Sequence, residues 1–221
     1  MAKMLSNKMS TEAHLNSAKR HQRMCNQTKG AENLGTAIDV PIKKLEEMQQ
    51  ATRICKDNRD AAYDSTVLSD GALDDAVRNI ADSAKQYDRN NPGRLVFPLL
   101  FPDGKITTIT RASFMQEPDK AEQLLQRINV FEEGHPLRMH ADPLTEAIGK
   151  MREAISVYQK SITDEKTAIA NEELAQAELR KQYEFNFLDA VKLFGKTFAN
   201  RLFPKSQVRK KEVVTISSVL D

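Results

Sequence analysis

Steps of seven and then four residues separate His14, His21 and Cys25, so all three fall on one face if the segment is helical. Two imidazoles and a thiolate at that spacing could ligate a transition metal. The local sequence supplies neither a fourth ligand nor a buried site, and a basic, partly exposed helix with ordinary polar residues is the better account of these three. Glu132 and His135 form a Glu-x-x-His spacing of the kind that di-iron helical bundles use in pairs. Here it occurs once, with Gly134 inside it and Pro136 after it, which describes a helix end followed by a loop histidine. His140 adds nothing to either set.

Other chemistry has less to stand on. None of the eight glycines falls in a phosphate-loop or dinucleotide pattern, and no nucleophile-elbow sequence frames a serine. With four histidines in the chain, general bases are few. The expectation is a protein that is not an enzyme and uses no cofactor or metal, with a helical-bundle metalloprotein as a second alternative. Cys25 and Cys55 match no zinc spacing and make no disulfide framework, so free thiols in a reducing compartment are expected.

A first alternative comes from charge. The N-terminal thirty residues include Arg20 and Arg23 among several lysines, and Arg209, Lys210 and Lys211 lie near the other end. Clustered cations displace condensed counterions from phosphate backbones, so these segments could bind nucleic acid. Stacking aromatics are not interleaved with them, and a net charge of +2 over 221 residues makes no general case for a polyanionic partner.

These residues sit on elements that helical periodicity dominates. From Asp142 to Phe203 the chain has one proline, Pro143, and two glycines, Gly149 and Gly195. About sixty helical residues would span roughly 90 Å. Leu144, Ile148, Met151, Ile155, Tyr158 and Ile162 step as a heptad seam, and Phe187, Val191, Phe194, Phe198 and Leu202 rebuild it after a thin stretch over Thr163–Glu173. An earlier stripe of Ile38, Ile42, Leu45, Met48, Thr52 and Cys55 opens near Pro41, a residue suited to a first helical turn. It resumes as Leu73, Val77, Ile80, Ala84 and Tyr87, with Ser69-Asp70-Gly71 as a potential break, and stops at Asn90-Asn91-Pro92-Gly93.

The segment between has another character. Arg94 to Phe101 is a short apolar run, Pro102-Asp103-Gly104 signals a turn, and Lys105 to Thr110 is β-branched. This predicts a β-hairpin, with Pro98 confining its first strand to an edge. A helix from about Asp119 to Phe131 follows. The fold class expected is mainly α: a long antiparallel helical hairpin or coiled coil with a small α+β tip insert. Its parts are a basic N-terminal arm or short helix (1–37), a first long helical segment (38–91), the tip (92–141), a long helix (142–203) and a basic C-terminal tail with a strand (204–221).

At 40% apolar and 29% charged, the composition suits an elongated helical protein better than a compact ball. No apolar stretch is long enough to span a bilayer, and no signal peptide opens the chain. The function expected is structural: helix packing and homo-oligomerisation within a larger particle such as a virion, secretion machine or filament, in the cytoplasm or in an intracellularly assembled particle. The candidate partner-binding residues are Val96, Phe97, Leu99, Leu100 and Phe101 in the tip. Val213, Val214 and Ile216 join them, because a lone terminal strand can add to the edge of a neighbour.

Overall fold

The computed structural model describes residues 2–205. Six α-helices follow one another: α1 (Thr11–Asn26), α2 (Glu32–Asn90), α3 (Phe97–Leu100), α4 (Thr107–Thr110), α5 (Glu117–Asn129) and α6 (Ala141–Leu202), with a 3₁₀ turn at Pro136–His140. The two long helices, α2 and α6, pack antiparallel. Contacts divide the chain into two units, one formed by residues up to Thr52 and from Ile169 onward, the other by Arg53–Ala168. Among the described residues no helix is long and apolar enough to cross a membrane.

In the first unit, Ser10 caps α1 by accepting a hydrogen bond from the Ala13 amide at 3.3 Å. Helix α2 begins at Glu32, nine residues ahead of Pro41, which stands inside the helix. Pro41 therefore does not open the helix. The Glu32 carboxylate folds back to accept from the Gly30 amide at 2.8 Å, an exchange that sets the start earlier. Ser69-Asp70-Gly71 does not interrupt α2 either, and Gly71 is not among the glycines with positive φ.

The run from Asp142 to Phe203 is not one helix to its end. Gly195 adopts φ 75° and ψ 159°, a combination essentially restricted to glycine. The residues beyond it turn back, so that the Phe203 ring lies 4.9 Å from Tyr183 and 5.3 Å from Phe187. A straight helix would hold residues twenty apart about 30 Å from each other. The chain then pairs with its other end: the Lys3 amide donates to the Pro204 carbonyl at 2.7 Å, and Ala2 and Lys205 form an isolated antiparallel bridge. The core of this unit includes Leu15, Ala18, Ile38, Leu45, Leu179, Tyr183 and Phe203.

The second unit contains the segment expected to be a β-hairpin, and here the expectation fails. Arg94–Phe101 and Lys105–Thr110 give the one-turn helices α3 and α4. At α3 three groups override β-propensity. Pro98 occupies the first turn of α3, where its missing N–H costs nothing. The Asp88 carboxylate accepts from the Val96 and Phe97 amides at 2.6 and 3.1 Å, capping that turn from α2. Arg127 donates to the Leu100 carbonyl at 2.9 Å and closes its other end. Ile109 and Leu100 are then carried into a core with Leu73, Val77, Ile80, Leu124, Ile128, Leu144 and Met151.

Candidate functional site

The sequence set His14, His21 and Cys25 is buried on the inner face of α1. It builds a structural hub. The His21 ring donates from Nδ1 to the Leu202 carbonyl at 3.0 Å, and its Nε2 accepts from Asn186 Nδ2 at 3.0 Å. Asn186 Nδ2 also donates to the Leu34 carbonyl at 2.8 Å, and its Oδ1 accepts from Gln182 at 2.9 Å. Every polar atom of the pair is used when the ring is neutral and carries its proton on Nδ1. His21 also stacks on Phe203 at 4.0 Å and meets Tyr183 edge-on at 5.4 Å.

These surroundings favour the uncharged forms. Burial lowers His21 to about 4, against the opposing hydrogen bond to Leu202. A second proton would sit on Nε2, facing the Asn186 amide donors. Burial pushes the Cys25 thiol up to about 11, and its sulfur lies 3.6 Å from the His21 ring nitrogens. Tyr183 is likewise shifted upward, chiefly by burial. His14 turns away from the other two, its Nδ1 bonded to the Ser10 carbonyl at 2.9 Å. Among the described residues no group of three His, Cys, Asp or Glu side chains is placed to hold a metal ion.

Periodicity did not find Asn186, Tyr183 or Phe203. The buried line on α6 runs through Ala175, Leu179, Tyr183, Asn186 and Ala190, while Phe187, Val191, Phe194 and Phe198 pack only partly against it. A small residue or an amide on the inner line carries no hydrophobic signal.

Glu132 and His135 are not brought together as ligands. His135 stacks on Phe131 at 4.3 Å, and its Nδ1 accepts from the Leu137 amide at 3.2 Å, capping the 3₁₀ turn. Beside it opens a groove of about 630 Å³ lined by Tyr87, Arg94, Leu95, Val96, Leu99, Val130, Phe131, Glu132 and His135, among others. Of the five tip residues singled out from sequence, Val96, Leu100 and Phe101 are buried in the core, Phe97 is half-buried, and Leu99 is 61% exposed. Leu95 at 56% and Val130 at 84% extend the exposed apolar surface. Arg94 and Glu132 stand at the same groove, and neither has an ion-pair partner among the described residues.

Arg20 and Arg23 project exposed from α1. Arg209, Lys210, Lys211, Val213, Val214 and Ile216 lie outside the described residues. The proposed edge strand at Arg94–Phe101 does not exist, so strand addition there has no acceptor. No protein-family model, curated protein or solved structure matches the chain.

Proposed function

We propose that this protein is a non-enzymatic assembly subunit that associates with a second copy of itself through the groove beside α3. The observation that carries this reading is the exposed apolar set Leu95, Leu99 and Val130 around that groove. Apolar side chains gathered at one concave place commonly mark a contact site. The groove bears both an arginine and a glutamate that are unpaired among the described residues. A two-fold contact brings each surface against its own copy, so Arg94 of one chain would meet Glu132 of the other. The neutral, buried state of His21 and Cys25 supports a structural role in place of catalysis.

Sedimentation equilibrium on the full chain tests the proposal. Leu99→Glu combined with Val130→Glu is expected to reduce the assembly to monomer while leaving the helical circular dichroism unchanged, since both side chains are exposed. Arg94→Glu is expected to weaken association about ten- to a hundredfold, given the worth of an interfacial charge pair. Adding Glu132→Arg to Arg94→Glu should restore it. A monomeric parent protein, or a mass indifferent to all three changes, would rule the interface out.

A further inference from the structure

Glu117, the first residue of α5, is 1% exposed. Its Oε1 has no hydrogen-bond partner, and neither does the buried Oδ1 of Asp74 on α2. Asp70 and Asp74 are the acids whose hydrogen bonding and charge act on the Glu117 carboxyl. Asp74 Oδ2 is already engaged by Arg78 Nη2 at 2.5 Å, and Arg78 Nη1 bonds Asp75 at 2.9 Å. If both carboxyl groups were ionised, acceptors would face acceptors and no donor would stand between them. Buried oxygens stripped of water and left unbonded are costly, and more so when charged. One proton repairs both defects, because the O–H of one acid donates to the other.

We propose that Glu117 is held as a neutral acid whose proton is donated to Asp74, forming a carboxyl–carboxylate pair that pins the start of α5 to α2. The cations of α5 and α6 named next have other partners. Arg152 on α6 bonds Asp119 at 2.8 Å and Glu122 at 2.5 Å, and Lys120 donates to the Thr108 carbonyl of α4 at 3.0 Å. Asp70 and Asp74 are therefore the charged groups that act on Glu117. A divalent ion fits poorly in the proton's place. Calcium takes about six to eight oxygens and magnesium keeps several waters. Glu117 is closed to solvent, and Arg78 already holds the second oxygen of Asp74.

Burial first, then hydrogen bonding and charge from Asp70 and Asp74, raise Glu117 from its ordinary 4.5 to about 9. The folded state thus keeps a proton that the unfolded chain releases. The contribution to stability is complete below the unfolded value, declines as pH rises past it, and is lost as pH passes through about 9. Ionisation would set two negative carboxylates against each other under α5, the helix that carries Ala121, Leu124 and Ile128 into the core.

Carbon-13 NMR of the full chain, labelled at glutamate carboxyls, reads the proton directly. Glu117 is expected to be protonated at neutral pH and to titrate with a midpoint near 9. Glu117→Gln should raise the neutral-pH melting temperature, because its amide replaces the O–H donor without holding a proton that the unfolded chain releases, and should abolish the decline of that temperature with rising pH. If that variant does not fold, Asp74→Asn serves, and the Glu117 midpoint should then fall by at least about one pH unit. A Glu117 carbon that titrates in the usual carboxylate range overturns the proposal, as does a midpoint indifferent to Asp74→Asn. So does a rise in melting temperature on adding magnesium or calcium chloride to the parent protein at neutral pH that Glu117→Gln abolishes, which would make this a cation site.

Discussion

Each of the two units buries an ionisable side chain in its neutral form, and they do so with opposite consequences. In the first, His21 is surrounded by the Leu202 carbonyl and the Asn186 amide, and every polar atom of that pair is bonded. In the second, Glu117 meets other acids and is completed only by a proton. A base kept neutral by burial opposes acid, and an acid kept neutral by burial opposes alkali. The two units therefore should weaken at opposite ends of the pH scale. The difference teaches that burial fixes which form survives, while the neighbours decide whether that form is satisfied without help from solvent.

The most severe way to break the comparison is to empty one hub. Phe203 is 1% exposed and packs on His21, Tyr183 and Phe187. Phe203→Ala should cost about 3–5 kcal/mol. Hydrogen exchange should show amides of α1 losing protection while those of α5 keep theirs, and uniform loss across both helices would contradict independent hubs. A milder disturbance acts through the backbone. Gly195→Ala places a Cβ at φ 75° and ψ 159° and should cost about 1–3 kcal/mol, read as a lower denaturant midpoint for the first unit only.

The gentlest perturbation is pH itself. His21 is depressed from 6.5 to about 4, so the folded state binds fewer protons than the unfolded chain between those values. Its stabilisation is present above 6.5 and is lost as pH falls through about 4, with a slope up to about 1.4 kcal/mol per pH unit from this group. His21→Gln should flatten the acid limb of a melting profile for α1 and leave any alkaline limb from α5 untouched. Loss of both limbs would show that the two groups are not independent.

Much of the fold was readable from spacing. Leu144, Ile148, Met151 and Ile155 are buried as the heptad requires. The thin stretch after them was harder, because the seam continues there in residues that carry no apolar signal. Ser161 and Ala168 are buried, and between them Glu165 is mostly covered and bonds Arg59 at 2.7 Å. Farther on, Glu172 accepts from the Thr11 hydroxyl. Ile169, the apolar residue that the sequence offers in this stretch, is exposed instead.

Two features lay beyond a reading of one sequence. The α3 turn is capped by groups distant in the chain, Asp88 and Arg127, and the Thr108 carbonyl of α4 is met by Lys120 of α5, so local β-propensity could not reveal these turns. Gly149 and Gly195 look alike as letters. Gly149 lies within α6 and is not among the positive-φ glycines, whereas the burial of Phe203 against Tyr183 requires the reversal at Gly195. Of the candidate groove, the sequence pointed to Val96 and Leu99 as contact residues and to Glu132 and His135 as a ligand spacing, but not to Leu95, Val130 or Arg94.

The pairing of residues 2–3 with 204–205 has a mechanical corollary. Any tether attached upstream of Ala2 and any tether attached downstream of Lys205 would leave the molecule side by side. Tension between them would peel the Lys3–Pro204 bond like a zipper and would not shear a row of bonds at once. Tyr183, whose hydroxyl donates to the Lys3 carbonyl at 3.4 Å, would feel that strain directly.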